Sequence, residues 1–401
     1  MSLGDIADSP AGPLVGLRVV EFGHLVAGPL AGSLMADLGA DVVHVERPGD
    51  GDQGRRIGPH RNGTGLWWKV GGRNKRSVTI DLADTGGRAL ARRLAGAADV
   101  VVTNLRPTTL EKWGLDYASL RRHNPVVVLL QISAFGATGP RRDEAGFGKI
   151  GEAWSGAPHL TGQPDGPPTF AGYLLSDAMA ALMGVVAVEA ALYRRERDPG
   201  FDGEWIDLAL FEPLFRMIDW QVITHDQLGT VPARAGSDTP IASTALLDTF
   251  RAGDGEWLVV SCGTPAAVAR AAAVVDVPDP DDRPGIRAAL ARWVGDRPAE
   301  VCLAILAAAG VSAGRVFTVA DMLRDPVYAA RQDVVQVADP DLGEVQMPAV
   351  LPHLRRAPGR VWRSAPGLGQ DNGPVLREWL GLDDADVEDL TASPAMCGRP
   401  D

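Results

Sequence analysis

At 401 residues with 45% hydrophobic side chains, the chain has material for two or three domains around sizeable cores. A formal charge of −12 excludes a general nucleic-acid binder, which needs basic stripes, but leaves room for a local basic pocket around one phosphorylated ligand. The three cysteines, Cys262, Cys302 and Cys397, lack CxxC or metal-ligand spacing and the seven histidines are scattered, so neither a disulfide framework nor a metal is expected, and a reducing, cytoplasmic compartment is.

The N-terminal residues have no basic flank or apolar core of a signal peptide, and no run of about eighteen uncharged apolar residues predicts a membrane span. Leu17 to Phe22 reads as a buried parallel strand. His24-Leu25-Val26-Ala27-Gly28-Pro29 then turns into a helix, and Asp41 to Val45 forms the second strand, ending in Glu46-Arg47-Pro48-Gly49. This β-α-β unit predicts a Rossmann-like α/β sheet. Glu46 stands where a dinucleotide enzyme keeps its ribose-binding acid. The first turn, however, reads GHLVAGP rather than GxGxxG, and Arg47 beside the acid suits a phosphate better than a ribose diol. NAD is therefore disfavoured.

The loop Pro48 to Lys69, rich in Gly and Arg and containing Trp67-Trp68, is either a site wall or ordinary surface. Arg73, Lys75 and Arg76 precede the strand VTIDL, as a phosphate clamp or as a solvated turn. A helix around Arg88 to Ala97 leads to the strand Asp99 to Thr103. That strand ends in Asn104-Leu105-Arg106-Pro107, at the sheet edge where open α/β folds bind ligands. Lys112-Trp113 follow a turn or two later, and Val126 to Ile132 is a further strand, leaving through Ser133 to Pro140.

Within Thr169 to Glu196, the residues after Gly172 to Ser176 predict a long helix that is apolar nearly all round, hence buried, with Asp177 in its first turn. The macrodipole and the unpaired N–H groups there would keep this carboxylate ionised, as a nucleophile requires. The competing reading is that Ser176 or Asp177 simply caps the helix. Leu246 to Cys262 predicts a β-hairpin turning at Gly253-Asp254-Gly255. Helices over Pro265 to Val275, Pro284 to Val294 and Pro298 to Ala309 follow, then a strand over Gly310 to Val316.

Taken together, HLVAGPLAGSLMADLGADVVHVERPGDGD, RNKRSVTIDL, TNLRP, ISAFGATGP and GQPDGPPTFAGYLLSDAMAAL resemble the class III CoA-transferase family, the CaiB/BaiF group. The runs Gly203 to Glu212, Gly310 to Val316, Leu323 to Pro326 and Pro366 to Asn372 are similar too, so the resemblance spans about Pro13 to Leu382 in order. It implies a large Rossmann-like domain built from both termini, with a smaller α/β domain inserted, and two chains threaded together as an interlocked homodimer. The corresponding boundaries are 1–225 for the N-terminal part of the large domain, 226–240 and 331–350 for linkers, 241–330 for the small domain and 351–401 for the return.

In that family an aspartate matching Asp177 is the catalytic residue. It attacks the thioester carbonyl of an acyl-CoA, giving an aspartyl-acyl anhydride and CoA thiolate. The thiolate then forms an aspartyl-CoA thioester and frees the donor acid, and an acceptor carboxylate reverses the steps. No cofactor is bound tightly; acyl-CoA and a small carboxylic acid are substrates. By motif match, Arg47, Lys75 and Arg76 would meet the CoA phosphates, Leu25, Val26, Asn104 and Leu105 would line the nucleotide cleft, and Lys112 and Trp113 would reach the adenine end.

The family also contains α-methylacyl-CoA racemases, which need an acid/base pair and carry a histidine after the glycine matching Gly146. Here that position is Phe147, and His159 lies a dozen residues on, so transfer is favoured. The run GFGKIGEA resembles members that use succinyl-CoA and small dicarboxylates, with Glu152 as a partner of the nucleophile or a plain surface acid. A non-catalytic CoA-binding homologue is the remaining alternative. Ala235 to Ile241 holds one glycine where some members carry a glycine run, which speaks against a formyl-CoA:oxalate enzyme.

Overall fold

The computed structural model describes residues 9–238 and 245–398. Thr239, Pro240 and Ile241, the end of the single-glycine run, lie outside the described residues. The chain divides into two compact units. One comprises the described residues up to Ser155, Ala171–Met217 and those from Ala329 onward; the other comprises Gly156–Phe170 and Ile218–Tyr328.

In the first unit, β1 (Arg18–Phe22), α1 (Ala27–Asp37) and β2 (Asp41–Glu46) form the expected β-α-β unit. The following loop holds the short strands β3 (His60–Arg61) and β4 (Thr64–Gly65) and helix α2 (Leu66–Gly71). Next come β5 (Arg76–Thr79), α3 (Thr85–Gly96), β6 (Val100–Thr103), α4 (Pro107–Trp113), α5 (Tyr117–Arg121), β7 (Val128–Ser133) and α6 (Gly148–Ser155). After α7 (Ala157–Leu160), which belongs to the other unit, α8 (Leu175–Arg197), β8 (Glu204–Ala209) and α9 (Glu212–Met217) complete the layer.

The six strands lie in the order β5-β2-β1-β6-β7-β8, all parallel. Their Val-, Leu- and Ile-rich runs are what a sheet covered on both faces requires. Successive side chains go to opposite faces. Val20, Val43 and Val101 join a core with Leu90 and Leu94 of α3. Val19, Val42, Val100 and Val102 join one with Met35 of α1 and Val185 and Val188 of α8.

Helix α8 is long and apolar enough to cross a membrane by length and composition alone. Here it packs on β7, β8 and α1. It is not buried all round as its composition predicts. Ala180, Ala181, Gly184 and Val188 are buried, whereas Leu182, Val186 and Tyr193 on the other side are exposed.

Downstream, β12 (Val334–Asp339) and β13 (Gly343–Pro348) pair as a hairpin, and a helix over Asn372–Leu380 packs beside β5. Asp371 and Asn372 complete the β5 edge. Ser77 N donates to Asp371 Oδ2 at 2.8 Å, Thr79 N donates to Asn372 Oδ1 at 2.8 Å, and Asp371 N donates to Ser77 O at 3.0 Å.

In the second unit, α10 (Trp220–Leu228) precedes the predicted hairpin, β9 (Leu246–Arg251) and β10 (Trp257–Cys262). β11 (Ala313–Arg315) pairs with β10. Helices α11 (Pro265–Val274), α12 (Arg283–Gly295) and α13 (Ala299–Ala308) follow the sequence reading closely. Thr264 and Asp282 cap the first two through Ala267 N and Gly285 N.

Candidate active site

Running along the chain, the sheet grows from β1 to β2 to β5, then steps back to place β6 on the other side of β1. The loops leaving β1 and β6 therefore head in opposite directions, which opens a crevice at the carboxyl ends of the strands. A cavity of about 250 Å³ lies there. Its walls are His24, Leu25 and Val26 from the first loop and Asn104, Leu105 and Arg106 from the second. Ile132 to Ala134 at the end of β7, Gly146-Phe147 before α6, and Asp177 close it.

Two devices hold the first loop. The Asn104 amide clamps the His24 backbone, accepting its N–H at 3.0 Å and donating to its carbonyl at 2.8 Å. Leu25 adopts φ 64°, a left-handed conformation uncommon outside glycine, and its N–H donates to Asp52 Oδ1 at 3.0 Å. Asn104 thus lines the cleft as expected, but its polar atoms are spent on the protein's own turn.

Asp177 sits in the first turn of α8, partly buried. The capping reading falls. The N-cap residue is Leu174, with no side-chain cap, and the Ser176 hydroxyl donates instead to Leu210 O, beyond β8, at 2.6 Å. The expected influence of the helix start on the pKa also needs correction. Burial raises the Asp177 pKa to about 6, with Glu152 adding to the rise; its own backbone N–H and Lys149 act in the other direction without cancelling it. The polar helix start tempers desolvation but does not overcome it. A carboxyl titrating near 6 is still about nine-tenths ionised at pH 7, and a carboxylate held at that level is more basic than an ordinary one.

The GFGKIG run is explained by how closely α6 approaches this carboxylate. A Cβ on Gly148 would fall onto Asp177 Oδ2. A Cβ on Gly151 would come within 2.8 Å of Leu210 Cβ and meet the Ser176 hydroxyl at 2.5 Å. Glu152 is buried rather than a surface acid, and Lys149 Nζ binds its Oε1 at 2.7 Å while donating to Ala171 O at 2.7 Å. Lys149 therefore ties α6 to the segment that delivers Asp177. Phe147, 66% exposed, lines the cavity at the position where a proton-carrying side chain would be needed for racemisation. His159 is exposed and belongs to the second unit.

A second, wider groove of about 840 Å³ lies at the carboxyl ends of β2 and β5, lined by Arg47, Pro48, Asp81, Leu82 and Trp113 among others. Arg47 is largely exposed, with a loose 3.9 Å ion pair to Asp50. Lys112 is exposed in the last turn of α4, beside Trp113. The structure thus gathers Leu25, Val26, Asn104, Leu105 and Asp177 around one cavity, and Arg47 and Trp113 around one groove.

Lys75 and Arg76 are the exceptions. Lys75 is fully buried, its ammonium donating to Glu21 Oε1 at 2.8 Å and Pro29 O at 2.6 Å. Arg76 is taken up by Glu378 at 2.7 Å and Asp41 at 3.2 Å. Neither lines the cavity or the groove, so a phosphate clamp at this turn is overturned: the cations neutralise acids of the fold. Glu46, the acid of the dinucleotide reading, is buried and gripped by Arg55 at 2.6 and 2.7 Å and by the Ser77 hydroxyl at 2.5 Å, leaving nothing for a ribose.

Sequence reasoning left Arg106, Arg142 and His24 out of the site. Arg142 is engaged by Glu111 and Asp143, whereas Arg106 is exposed at the cavity wall. Its signal was available: it follows Asn104-Leu105 at the end of a parallel strand. His24 is partly buried, which lowers its pKa and keeps the ring neutral near pH 7.

The model of CoA-transferase family III matches residues 14–372. The chain is 38% identical over 397 residues to a succinyl-CoA–D-citramalate CoA-transferase of Chloroflexus aurantiacus, covering 96% of this chain and 98% of that protein. It is 32% identical over 392 residues to a succinate–glutarate CoA-transferase of Agrobacterium fabrum, covering 91% and 95%. Among solved structures, a CaiB/BaiF family protein from Brucella suis superposes with a TM-score of 0.82 at 31% identity, over 92% of this chain and all of that one.

Proposed function

The chain belongs to CoA-transferase family III, and from that premise we propose that it moves CoA from succinyl-CoA to a small dicarboxylic acid, with Asp177 as nucleophile. The observation that carries this reading is the Asp177 carboxylate, partly buried, raised to about 6 and facing a cavity at the switch point of a parallel sheet.

The proposed reaction is the one that membership of the family implies. An Asp177 oxygen attacks the thioester carbonyl, the C–S bond breaks, and CoA leaves as thiolate with an aspartyl-succinyl anhydride formed. The thiolate attacks the aspartyl carbonyl, releasing succinate and leaving an aspartyl-CoA thioester. The acceptor carboxylate attacks that thioester to give a second anhydride, and the returning thiolate takes the acceptor acyl group and frees Asp177. Each intermediate hydrolyses in water, so the apolar walls supplied by Leu25, Val26, Leu105 and Ile132 protect them. Exposed Arg106 in the cavity and Arg47 in the wider groove would meet the CoA phosphates.

A dicarboxylate acceptor is supported by the names of similar proteins, which act on citramalate, malate, glutarate and mesaconate. We assign the exposed face of α8, Leu182, Val186 and Tyr193, to contact with a second copy in a homodimer. The buried free thiols of Cys262 and Cys302 fit a reducing, cytoplasmic location.

Mass-spectrometric analysis of succinyl-CoA incubated with a panel of dicarboxylic acids tests the proposal. The expected result is a new acyl-CoA and free succinate, lost in Asp177→Ala. Deuterium uptake at the α-carbon of a branched acyl-CoA without any acceptor acid, and no exchange, would overturn it.

A further inference from the structure

Beneath the turn that carries His24 and Leu25 runs a chain of buried charges. Lys75 Nζ meets Glu21 Oε1 at 2.8 Å, and the same carboxylate oxygen meets His44 Nδ1. On the other side of the ring, His44 Nε2 lies 3.2 Å from Asp52 Oδ2. Asp52 Oδ1 accepts the Leu25 N–H at 3.0 Å and the Gly54 N–H at 2.6 Å. Glu21, His44, Asp52 and Lys75 are all buried. Leu25, at the end of the chain, holds a left-handed backbone and lines the cavity with Asp177.

The protonation of this chain follows from its geometry. A neutral imidazole has one N–H and one lone pair. Both ring nitrogens of His44 face carboxylate oxygens, so a neutral ring would set a lone pair against an anion. The charges agree. Glu21, Glu46 and Asp52 are three buried acids, and Lys75 and Arg55 are two cations beside them. An imidazolium at His44 makes the cluster neutral, which buried charges require.

We propose that the His44 imidazolium is a positioning group: it anchors Asp52 between β2 and the Gly23–Val26 turn, and so holds Leu25 in the conformation that shapes the CoA-thioester side of the cavity. Loss of one proton leaves the ring a single N–H for two carboxylates, Glu21 and Asp52, so the hold on Asp52 weakens and the turn loosens. The groups facing His44 are Glu21 on β1, Glu46 on β2, Asp52 on the loop after β2 and His24 on the turn itself, with Arg55 paired to Glu46 and Lys75 to Glu21; the Trp68 ring is tilted against it at 5.4 Å. Burial alone would lower the His44 pKa, but Glu21, Asp52 and Glu46 more than offset that and place it at about 9. The turn is therefore held below that pH and relaxes above it.

The inference rests on the CoA-transferase reading for its consequence in binding, but its structural core is measurable without turnover. Hydrogen–deuterium exchange of the Gly23–Val26 peptide, corrected for intrinsic rate, is to be followed from pH 7 to 10 in the full chain. Binding of CoA lacking its thiol is measured in parallel by calorimetry. The wild type should lose protection of the Leu25 amide above about pH 9 and weaken toward the ligand on the order of tenfold, with the fold intact by circular dichroism. His44→Lys, whose ammonium ordinarily titrates near 10.4, should move the alkaline change to higher pH. His44→Gln should show the loosened turn already at pH 7.5. Should His44→Gln fail to fold, the wild-type pH series and Asp52→Asn still decide. Protection and affinity that do not change between pH 7 and 10 in the wild type, or the same alkaline loss in His44→Lys, would overturn the inference. Absence of CoA binding at any pH, with the exchange pattern as expected, would instead strike at the assigned substrate.

Discussion

The Cα of Gly148 faces the carboxylate of Asp177 with no room between them for a methyl group. Helix α6 begins at this glycine, so the Asp177 carboxylate touches backbone rather than side chain. Gly148→Ala should displace Asp177 from its position while leaving both cores untouched. We expect kcat to fall on the order of a hundredfold, since an ångström of misplacement is enough for that, with thermal stability lowered by only about 1–2 kcal/mol. Steady-state kinetics beside a denaturant titration separates the two effects.

Asp177→Asn removes the proposed nucleophile and should abolish CoA exchange. It should also make the protein more stable. The carboxyl titrates at about 3.8 when unfolded and about 6 when folded, so its contribution to stability is complete below 3.8 and is lost as pH rises through 6. At pH 7.5 the folded state carries a carboxylate it would rather hold neutral. Replacing it with an amide should raise stability by roughly 1–2 kcal/mol, after discounting for the group's partial exposure. A melting temperature that drops would contradict this account of the site.

The same value sets an acid limb. The free enzyme's kcat/KM for the CoA thioester should fall tenfold per pH unit below about 6, rather than below the ordinary aspartate range. Glu152 contributes to that rise, so Glu152→Gln should move the limb to lower pH.

Lys75 and Arg106 make a contrasting pair. Lys75→Met leaves Glu21 buried with less charge compensation and should destabilise the fold by about 3–5 kcal/mol. Arg106→Ala should leave stability within about 0.5 kcal/mol and raise KM for the acyl-CoA on the order of tenfold, with kcat little changed. The reverse pattern would restore Lys75 to the ligand site.

The parallel sheet was readable because strands buried on both faces must be runs of Val, Leu and Ile. The start of α8 was readable because an acid opens an otherwise apolar helix. What composition did not reveal was the use of the charges. Lys75 and Arg76 look like a clamp in one dimension. Only the register of β5 against β2, Ser77 beside His44, shows that Lys75 enters the interior to meet Glu21. Glu46 likewise stands where a ribose-binding acid would, and Asp52 carries no signal of its own, until Arg55 and His44 are seen against them. The exposed half of α8 was hidden for a related reason: an all-round apolar pattern does not say which face the same chain covers. Arg106 was legible from its place at a strand end, and was passed over in favour of a denser cluster of cations.

The β5 edge has a consequence for how the protein is made. Its amides at Ser77 and Thr79 are matched by Asp371 and Asn372, partners 294 and 293 residues further along. A ribosome must deliver most of the polypeptide before that edge is closed, and until then it is an unpaired strand rim available to any neighbouring nascent chain. Shortening the gene from its 3′ end past Asp371 would make this temporary condition permanent, so aggregation during expression is the hazard to expect from such a truncation.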